Sequence, residues 1–372
     1  MSKIVFITKS LDANCFEFGS FATSSAAFEY GLVRALSKFV ELEIIHLGDV
    51  CEESRLVRGL NFSSINYRSI FGFFWLAKEI ISRIGGGEVK VLTTGYYPIE
   101  IGVVVAISKL FNIKSFCYIY DTHRCALPRM AAAKRCMADA YFMVGFFFAK
   151  MSAGLFVLND AFIKADSIKT PYLKTKVGVN CFVENGDLCA ENGCLVREKK
   201  IFVFAGTINS ENGVTLLVEF LRECDKFNFE IHFYGDGEGS SIIRELSMID
   251  DRVVYFGRIS DSALQKKLIE ADFLINLRDP EGISANYSFP SKLIKFMATG
   301  TPVISNRFPG LDSCYVSFIH LVDDYSVKAL AKVMSSLLML ESDRAIGVGA
   351  KNFVNVNNDW NKISEELVKF ME

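Results

Sequence analysis

The chain predicts an α/β protein of two doubly wound domains, each a mostly parallel sheet with helices on both faces, on three observations. Short apolar strand-like runs alternate with helix-like stretches through both halves. The alternation lapses once, in a polar stretch at 167–200 that carries Pro171, Gly178, Gly186 and Gly193, and then restarts. With 372 residues the chain is long enough for two full cores.

In the first half, KIVFIT at 3–8 is a strand, followed by a loop through Phe18-Gly19-Ser20 and a helix over about 24–39. LEIIHL at 42–47 is a strand, 51–69 is less regular, and 72–84 is a helix ended by Gly85-Gly86-Gly87. A strand at 89–93 leads to a helix at 98–111 with Pro98 in its first turn, where the missing N–H has no intrahelical partner anyway. A strand at 114–120 ends in the polar loop Asp121-Thr122-His123-Arg124, and a helix near 139–151 and strand 154–159 close the half. Ligands of such sheets bind at the carboxyl ends of strands, so the loops at 10–20, 94–97, 121–124 and 159–160 are the ones to watch. No GxGxxG follows the first strand, which argues against a dinucleotide site of that kind.

The linker carries one short strand near 176–179. Beyond it, strands at 201–206, 230–235, 253–257, 272–277, 302–305 and 318–322 alternate with helices near 213–224, to 248, 260–270, 291–299 and 326–340. Ser260 is an expected N-cap. The last segment, DWNKISEELVKFME at 359–372, is an amphipathic helix.

The bulk numbers exclude some classes. A net charge of −2 gives no reason to expect nucleic acid. No signal peptide is expected, because the N-terminus already reads as a strand. The ten cysteines contain no CxxC pair, and Cys181, Cys189 and Cys194 have no zinc-site spacing, so reduced thiols are expected. The composition is 51% hydrophobic and mean hydropathy is +0.26. The apolar run 137–158 approaches the length of a spanning helix but is interrupted by Asp139 and Lys150. A buried helix followed by a strand is the expectation, with Phe146, Phe147 and Phe148 offering a patch for peripheral contact with lipid headgroups.

One stretch concentrates candidate chemistry: RDPEGISANYSFPSKLIKFMATGT at 278–301. Ser291 is the expected N-cap of a helix whose stripe is Leu293, Ile294, Phe296 and Met297, and Gly300 closes it. Lys292 and Lys295 lie three apart, on one face of its first turns. Cations there oppose the positive end of the helix dipole, a small cost that a bound anion reverses.

GDGE at 235–238, FGRIS at 256–260, EADFLINLR at 270–278 and FMATGTPVIS at 296–305 resemble, in order and spacing, the motifs of glycosyltransferase family 4. YSFPSKLIKFMATGTPVIS at 287–305 resembles the subgroup of bacterial surface-polysaccharide transferases with a YSFPSK signature. The resemblance spans roughly 200–372. It implies a GT-B architecture: two Rossmann-like doubly wound domains facing a central cleft, 1–180 binding acceptor and 181–355 binding nucleotide sugar. The helix at 356–372 is then expected to pack back on the first domain.

The resemblance further implies a retaining hexosyl transfer from a nucleotide diphosphate sugar to a lipid-linked glycan acceptor, with no metal and no cofactor, in the cytoplasm at the inner face of the membrane. Protein groups then neutralise the leaving diphosphate. The implied donor-binding residues are Gly19, Thr207, Arg258, Arg278, Glu281, Ser291, Lys292 and Lys295, with His123 and Asp121 near the reacting sugar. Several positions depart from the family pattern. Its paired acids align with Tyr287 and Lys295, its basic pair with Thr207 and Asn212, and Glu281-Gly282 resembles its EG start at fourteen residues before Lys295. Two alternatives stay open: a GT-B binding or scaffold protein without turnover, and a GT-B sugar-nucleotide epimerase, which needs an acid/base pair.

Overall fold

The computed structural model describes residues 2–18, 23–49, 52–67, 71–85, 87–125, 130–179, 198–224, 227–340 and 343–372. The chain divides into two compact units, Met1–Asn180 with Asn358–Glu372, and Cys181–Asn357.

The first unit is built on an eight-stranded sheet ordered β3-β4-β2-β1-β5-β6-β7-β8. Its strands are β1 (Lys3–Thr8), β2 (Glu41–Gly48), β3 (Glu52–Val57), β4 (Leu60–Asn66), β5 (Val89–Thr94), β6 (Lys114–Ile119), β7 (Gly154–Val157) and β8 (Tyr172–Lys174). Its helices are α1 (Ala13–Phe18), α2 (Ser24–Leu36), α3 (Gly72–Arg83), α4 (Pro98–Leu110), α5 (Ala132–Ala149) and α6 (Ala161–Ala165). All pairs are parallel except β3 with β4. β1 and β5 are buried along almost every position and mostly apolar, with Lys90 and the threonines Thr8, Thr93 and Thr94 buried among them, as in a sheet covered on both faces.

Three differences from the sequence reading stand out. The stretch expected to be irregular is a β3–β4 hairpin, turned by Arg58 and Gly59 at φ 45° and 84°. Two consecutive positive φ values make a two-residue turn whose twist matches its strands, and an Arg in the first position hides it from pattern reading. Helix α5 begins seven residues earlier than expected. The strand expected at 176–179 is instead β8 at Tyr172–Lys174, with a lone bridge from Val179 to Asp359. Among the described residues no helix is long and apolar enough to cross a membrane, and the run 137–158 divides into the end of α5, a turn and β7.

The second unit carries a six-stranded, wholly parallel sheet ordered β11-β10-β9-β12-β13-β14. Its strands are β9 (Lys200–Ala205), β10 (Phe229–Tyr234), β11 (Val253–Gly257), β12 (Phe273–Asn276), β13 (Val303–Asn306) and β14 (His320–Val322). Its helices are α7 (Val214–Glu223), α8 (Ser240–Leu246), α9 (Asp261–Glu270), α10 (Ile283–Tyr287), α11 (Ser291–Thr299), α12 (Val327–Met339) and α13 (Arg344–Asn357). Phe202, Phe204, Phe220, Phe229, Phe233 and Phe273 fill its core. Ser260 caps α9 as expected, accepting from the Ala263 N–H at 3.3 Å. Helices α10 and α13 lie in segments read as loop or left unread.

The last helix, α14 (Trp360–Met371), belongs to the first unit. Asp359 caps it, accepting from the N–H groups of Asn361 and Lys362 at 2.9 and 3.0 Å. Its apolar face docks through Trp360 on Phe28, with ring centroids 5.0 Å apart, and through Phe370 on Phe156 at 5.4 Å. Gly178 lies flat under the Trp360 indole, where an added Cβ would sit 2.1 Å from the ring.

Candidate nucleotide-sugar site

In a sheet ordered like that of the second unit, strand succession reverses between β9 and β12, and ligands bind outside the carboxyl ends of the strands at that point. The loops there are 206–213, after β9, and 277–282, after β12. They are held close: an added Cβ on Gly213, at φ 77°, would lie 2.4 Å from Leu277 Cβ. Asn306, fully buried at the end of β13, clamps the second loop. Its side-chain oxygen accepts from the Arg278 N–H and its amide donates to the Arg278 carbonyl, both at 2.8 Å. The expected strand stopped one residue short of Asn306, and no motif pointed to it. A buried asparagine next to an exposed loop shows itself only in the folded chain.

Lys292 is the central finding. The chain enters α11 through Phe289 and Pro290, both buried, and turns the Lys292 side chain inward. Its ammonium lies 4.6 Å from the Phe204 ring centroid and 5.7 Å from that of Phe296. A Cβ placed on Gly206 would be 3.8 Å from Nζ, so the amine reaches the carboxyl end of β9. Nζ is buried and makes no hydrogen bond among the described residues. Burial, and secondarily the Arg278 guanidinium, pulls its pKa from 10.5 down to about 7. A buried amine with no acceptor is costly unless something of opposite charge arrives.

The neighbouring candidates divide. Arg278 lies in the clamped loop, its guanidinium 5.8 Å from the Phe308 ring and within 3.5 Å of the Ser284 carbonyl. Ser291 is not the N-cap. Pro290 holds that position and offers no side-chain cap, and the Ser291 N–H is directed to the Phe289 carbonyl at 2.8 Å. The proline at the cap position displaces the serine by one place, to the first residue of the helix. Lys295 does not share the environment of Lys292: it is exposed while Lys292 is turned in.

Thr207 is exposed and its carbonyl accepts from the Asn212 amide at 2.9 Å, so both residues at the expected basic pair shape a turn. Glu281 is exposed, its N–H bonded to the Asp279 carboxylate at 3.0 Å. The carboxylate in contact with the site's loops is Glu211, which accepts from the Ser284 hydroxyl at 2.5 Å. Arg258 is exposed after β11 and lies near Asp236, whose carboxyl is held below its usual range chiefly by the Ser240 hydroxyl and the Gly237 N–H. An open cavity of about 300 Å³, lined by Pro280, Arg307, Phe308, Pro309 and Leu311, adjoins the loop.

In the first unit the strand order reverses between β1 and β5. Glu29 of α2 is buried beneath those strand ends and accepts from the hydroxyls of Thr8 and Tyr120. Burial raises its pKa against those hydrogen bonds, favouring the neutral acid. Beside it, Lys9 pairs with the buried Glu100 and lies 3.7 Å from the Tyr97 ring centroid. Sequence reading passed over Glu29 because it sits mid-helix.

His123 follows β6 as expected, but its ring is fully engaged within this unit. The Tyr96 hydroxyl accepts from the His123 backbone N–H at 2.7 Å and so donates to Nδ1 at 2.8 Å. That leaves Nε2–H to donate to Asp139 at 3.0 Å, while the ring stacks on Phe142. Burial lowers its pKa although Asp139 acts the other way. Asp121 is exposed two residues beyond β6, and Gly19 lies outside the described residues.

Residues 199–339 match the family model for glycosyl transferases group 1. Solved structures align along nearly the whole chain. Sucrose-phosphate synthase from Thermosynechococcus elongatus shares 15% identity and a TM-score of 0.69, over 99% of this chain and 98% of that one. The fold is GT-B. The Anabaena protein HepE, in complex with UDP, gives a TM-score of 0.68 at 11% identity over 99% of both chains. The lipopolysaccharide outer core galactosyltransferase WaaB gives 0.64 at 13%, again over 99% of both. Among curated protein sequences none matches the chain. The match to the group 1 glycosyl transferase model lies within the second unit of this GT-B chain, and the β9–β12 loops lie inside the matched residues.

Proposed function

We propose that the protein is a retaining, metal-independent glycosyltransferase that moves a hexosyl group from a nucleotide diphosphate sugar to a lipid-linked glycan in bacterial surface-polysaccharide synthesis. The observation that carries the reading is the buried, unpartnered Lys292 amine at the carboxyl end of β9, beside Arg278. A diphosphate supplies the charge and the oxygen acceptors that the Lys292 amine lacks among the described residues, with the Arg278 guanidinium as a second cation beside it. HepE is described with UDP and with UDP-glucose, which supports a donor of this class. As the anomeric carbon–oxygen bond breaks, negative charge accumulates on the departing diphosphate, and Lys292 and Arg278 stabilise it there. The acceptor hydroxyl attacks from the face the diphosphate leaves and passes its proton to a phosphate oxygen. That route needs no protein carboxylate pair.

A membrane-side acceptor is supported by the outer surface of α3, α4 and α5, which lie side by side in the first unit. Phe73, Phe74, Trp75, Tyr141, Val144 and Phe147 are all exposed there, an apolar surface suited to lipid headgroups. Cytoplasmic residence at the inner leaflet follows from the same reading.

The test is binding of UDP-, GDP-, dTDP- and ADP-linked sugars by calorimetry. Tight binding of one, abolished in Lys292→Met, supports the reading, and binding of none overturns it. The replacement of the basic pair by Thr207 and Asn212 favours a second reading, a binding protein without turnover. That reading predicts nucleotide binding with neither sugar transfer nor donor hydrolysis.

A further inference from the structure

Resting on the donor site proposed above, we propose that donor binding is coupled to proton uptake: Lys292 waits as a neutral amine in the empty site and becomes an ammonium when a diphosphate arrives.

The geometry leaves the charged form without support. From β9 the amine meets the Phe204 ring and Gly206, and from its own helix the Phe296 ring. The loop after β12 contributes Arg278, a second cation. Helices α9 and α13 pack beside α11, yet no charged group on them acts on Lys292 among the described residues. Lys295, one turn along, is exposed and of the same sign. Among the described residues no carboxylate acts on the amine. A ring face at this distance offsets part of the desolvation of an ammonium, but aromatic contacts are weaker than the hydration given up.

The direction and size of the lowered pKa agree with that environment, placing the midpoint at about 7. A diphosphate reverses the balance, because its oxygens accept all that the ammonium donates and its charge outweighs that of Arg278. Neutral in the empty site and charged in the complex, Lys292 binds one proton for each donor bound above pH 7. The device also avoids holding an uncompensated ammonium beside the Arg278 guanidinium between turnovers.

The experiment is calorimetric titration of the full chain with the best-binding nucleotide sugar of the four, in buffers of different ionisation enthalpy, from pH 6 to pH 8.5. Nucleotide sugars suit it because their diphosphate, esterified at both ends, does not titrate in this range. The expected result is affinity about tenfold weaker at pH 8 than at pH 6, with uptake approaching one proton at pH 8. Lys292→Arg keeps a permanent charge and should bind with affinity independent of pH. Donor binding with no proton uptake and a flat pH profile in the wild type overturns the coupling while leaving the donor site standing. If none of the four sugars binds, the donor site itself fails and the coupling with it.

Discussion

Replacing Lys292 by Met removes a buried amine and keeps an unbranched chain of similar length against Phe204 and Phe296. The amine falls from 10.5 to about 7 in the folded chain. At about 1.4 kcal/mol per pH unit, that difference represents on the order of 5 kcal/mol of charge burial. The sign comes from counting protons. Between pH 7 and 10.5 the unfolded chain holds the proton and the folded chain does not, so stability rises with pH across that window. The penalty is complete below pH 7 and gone above 10.5. From pH 7 to pH 9 the wild type should therefore gain on the order of 2 kcal/mol relative to Lys292→Met, which should be the more stable protein at pH 6.

Urea unfolding followed by circular dichroism at pH 6, 7, 8 and 9 measures this. Both tryptophans, Trp75 and Trp360, lie in the first unit, so their fluorescence supplies a control transition that the substitution should leave in place. Wild-type and variant stabilities that run parallel from pH 6 to pH 9 would refute the reasoning, because the amine would then be ionised alike in folded and unfolded chains.

Three further outcomes are expected. Lys295→Glu restores the carboxylate that the family pattern places at this exposed position and should tighten nucleotide binding about tenfold, the worth of one charged hydrogen bond of about 1.5 kcal/mol; weaker binding would show that the lysine itself contacts phosphate. Burial raises the Glu29 pKa, so the neutral isostere in Glu29→Gln should cost less than Glu29→Ala, which strands the Thr8 and Tyr120 hydroxyls and should lose about 1–3 kcal/mol in urea unfolding; equal losses in both would contradict this role. Gly178→Ala drives a methyl into the Trp360 indole and should lower stability by about 1–3 kcal/mol with a red shift of tryptophan emission as α14 lifts; an unshifted spectrum would contradict the docking of α14.

The two-sheet architecture was legible because both cores announce themselves. β1, β5, β9, β10 and β12 are short apolar runs between turn residues, and buried parallel strands leave that signature. The β3–β4 hairpin escaped because EESRLV is mostly polar and its turn is Arg-Gly, without a strong turn dipeptide. At the candidate site, charge and motif made Lys292 and Arg278 candidates, and periodicity set Lys292 and Lys295 on one helix face. What separates them is burial, which the folded chain alone reveals: the Lys292 amine reaches Phe204 and the Gly206 backbone while Lys295 is exposed. Asn306 and Glu29 act through burial, and no spacing rule marks a polar residue that the fold will cover.

The central claim, sugar transfer from a nucleotide donor, is tested most directly by one incubation. The protein is mixed with the four nucleotide sugars and a lipid-linked glycan extract, and the products are read by mass spectrometry beside Lys292→Met. The account predicts a glycolipid heavier by one hexosyl residue with release of a matching amount of one nucleoside diphosphate, both lost in the variant. A donor that binds tightly but is neither transferred nor hydrolysed would contradict it.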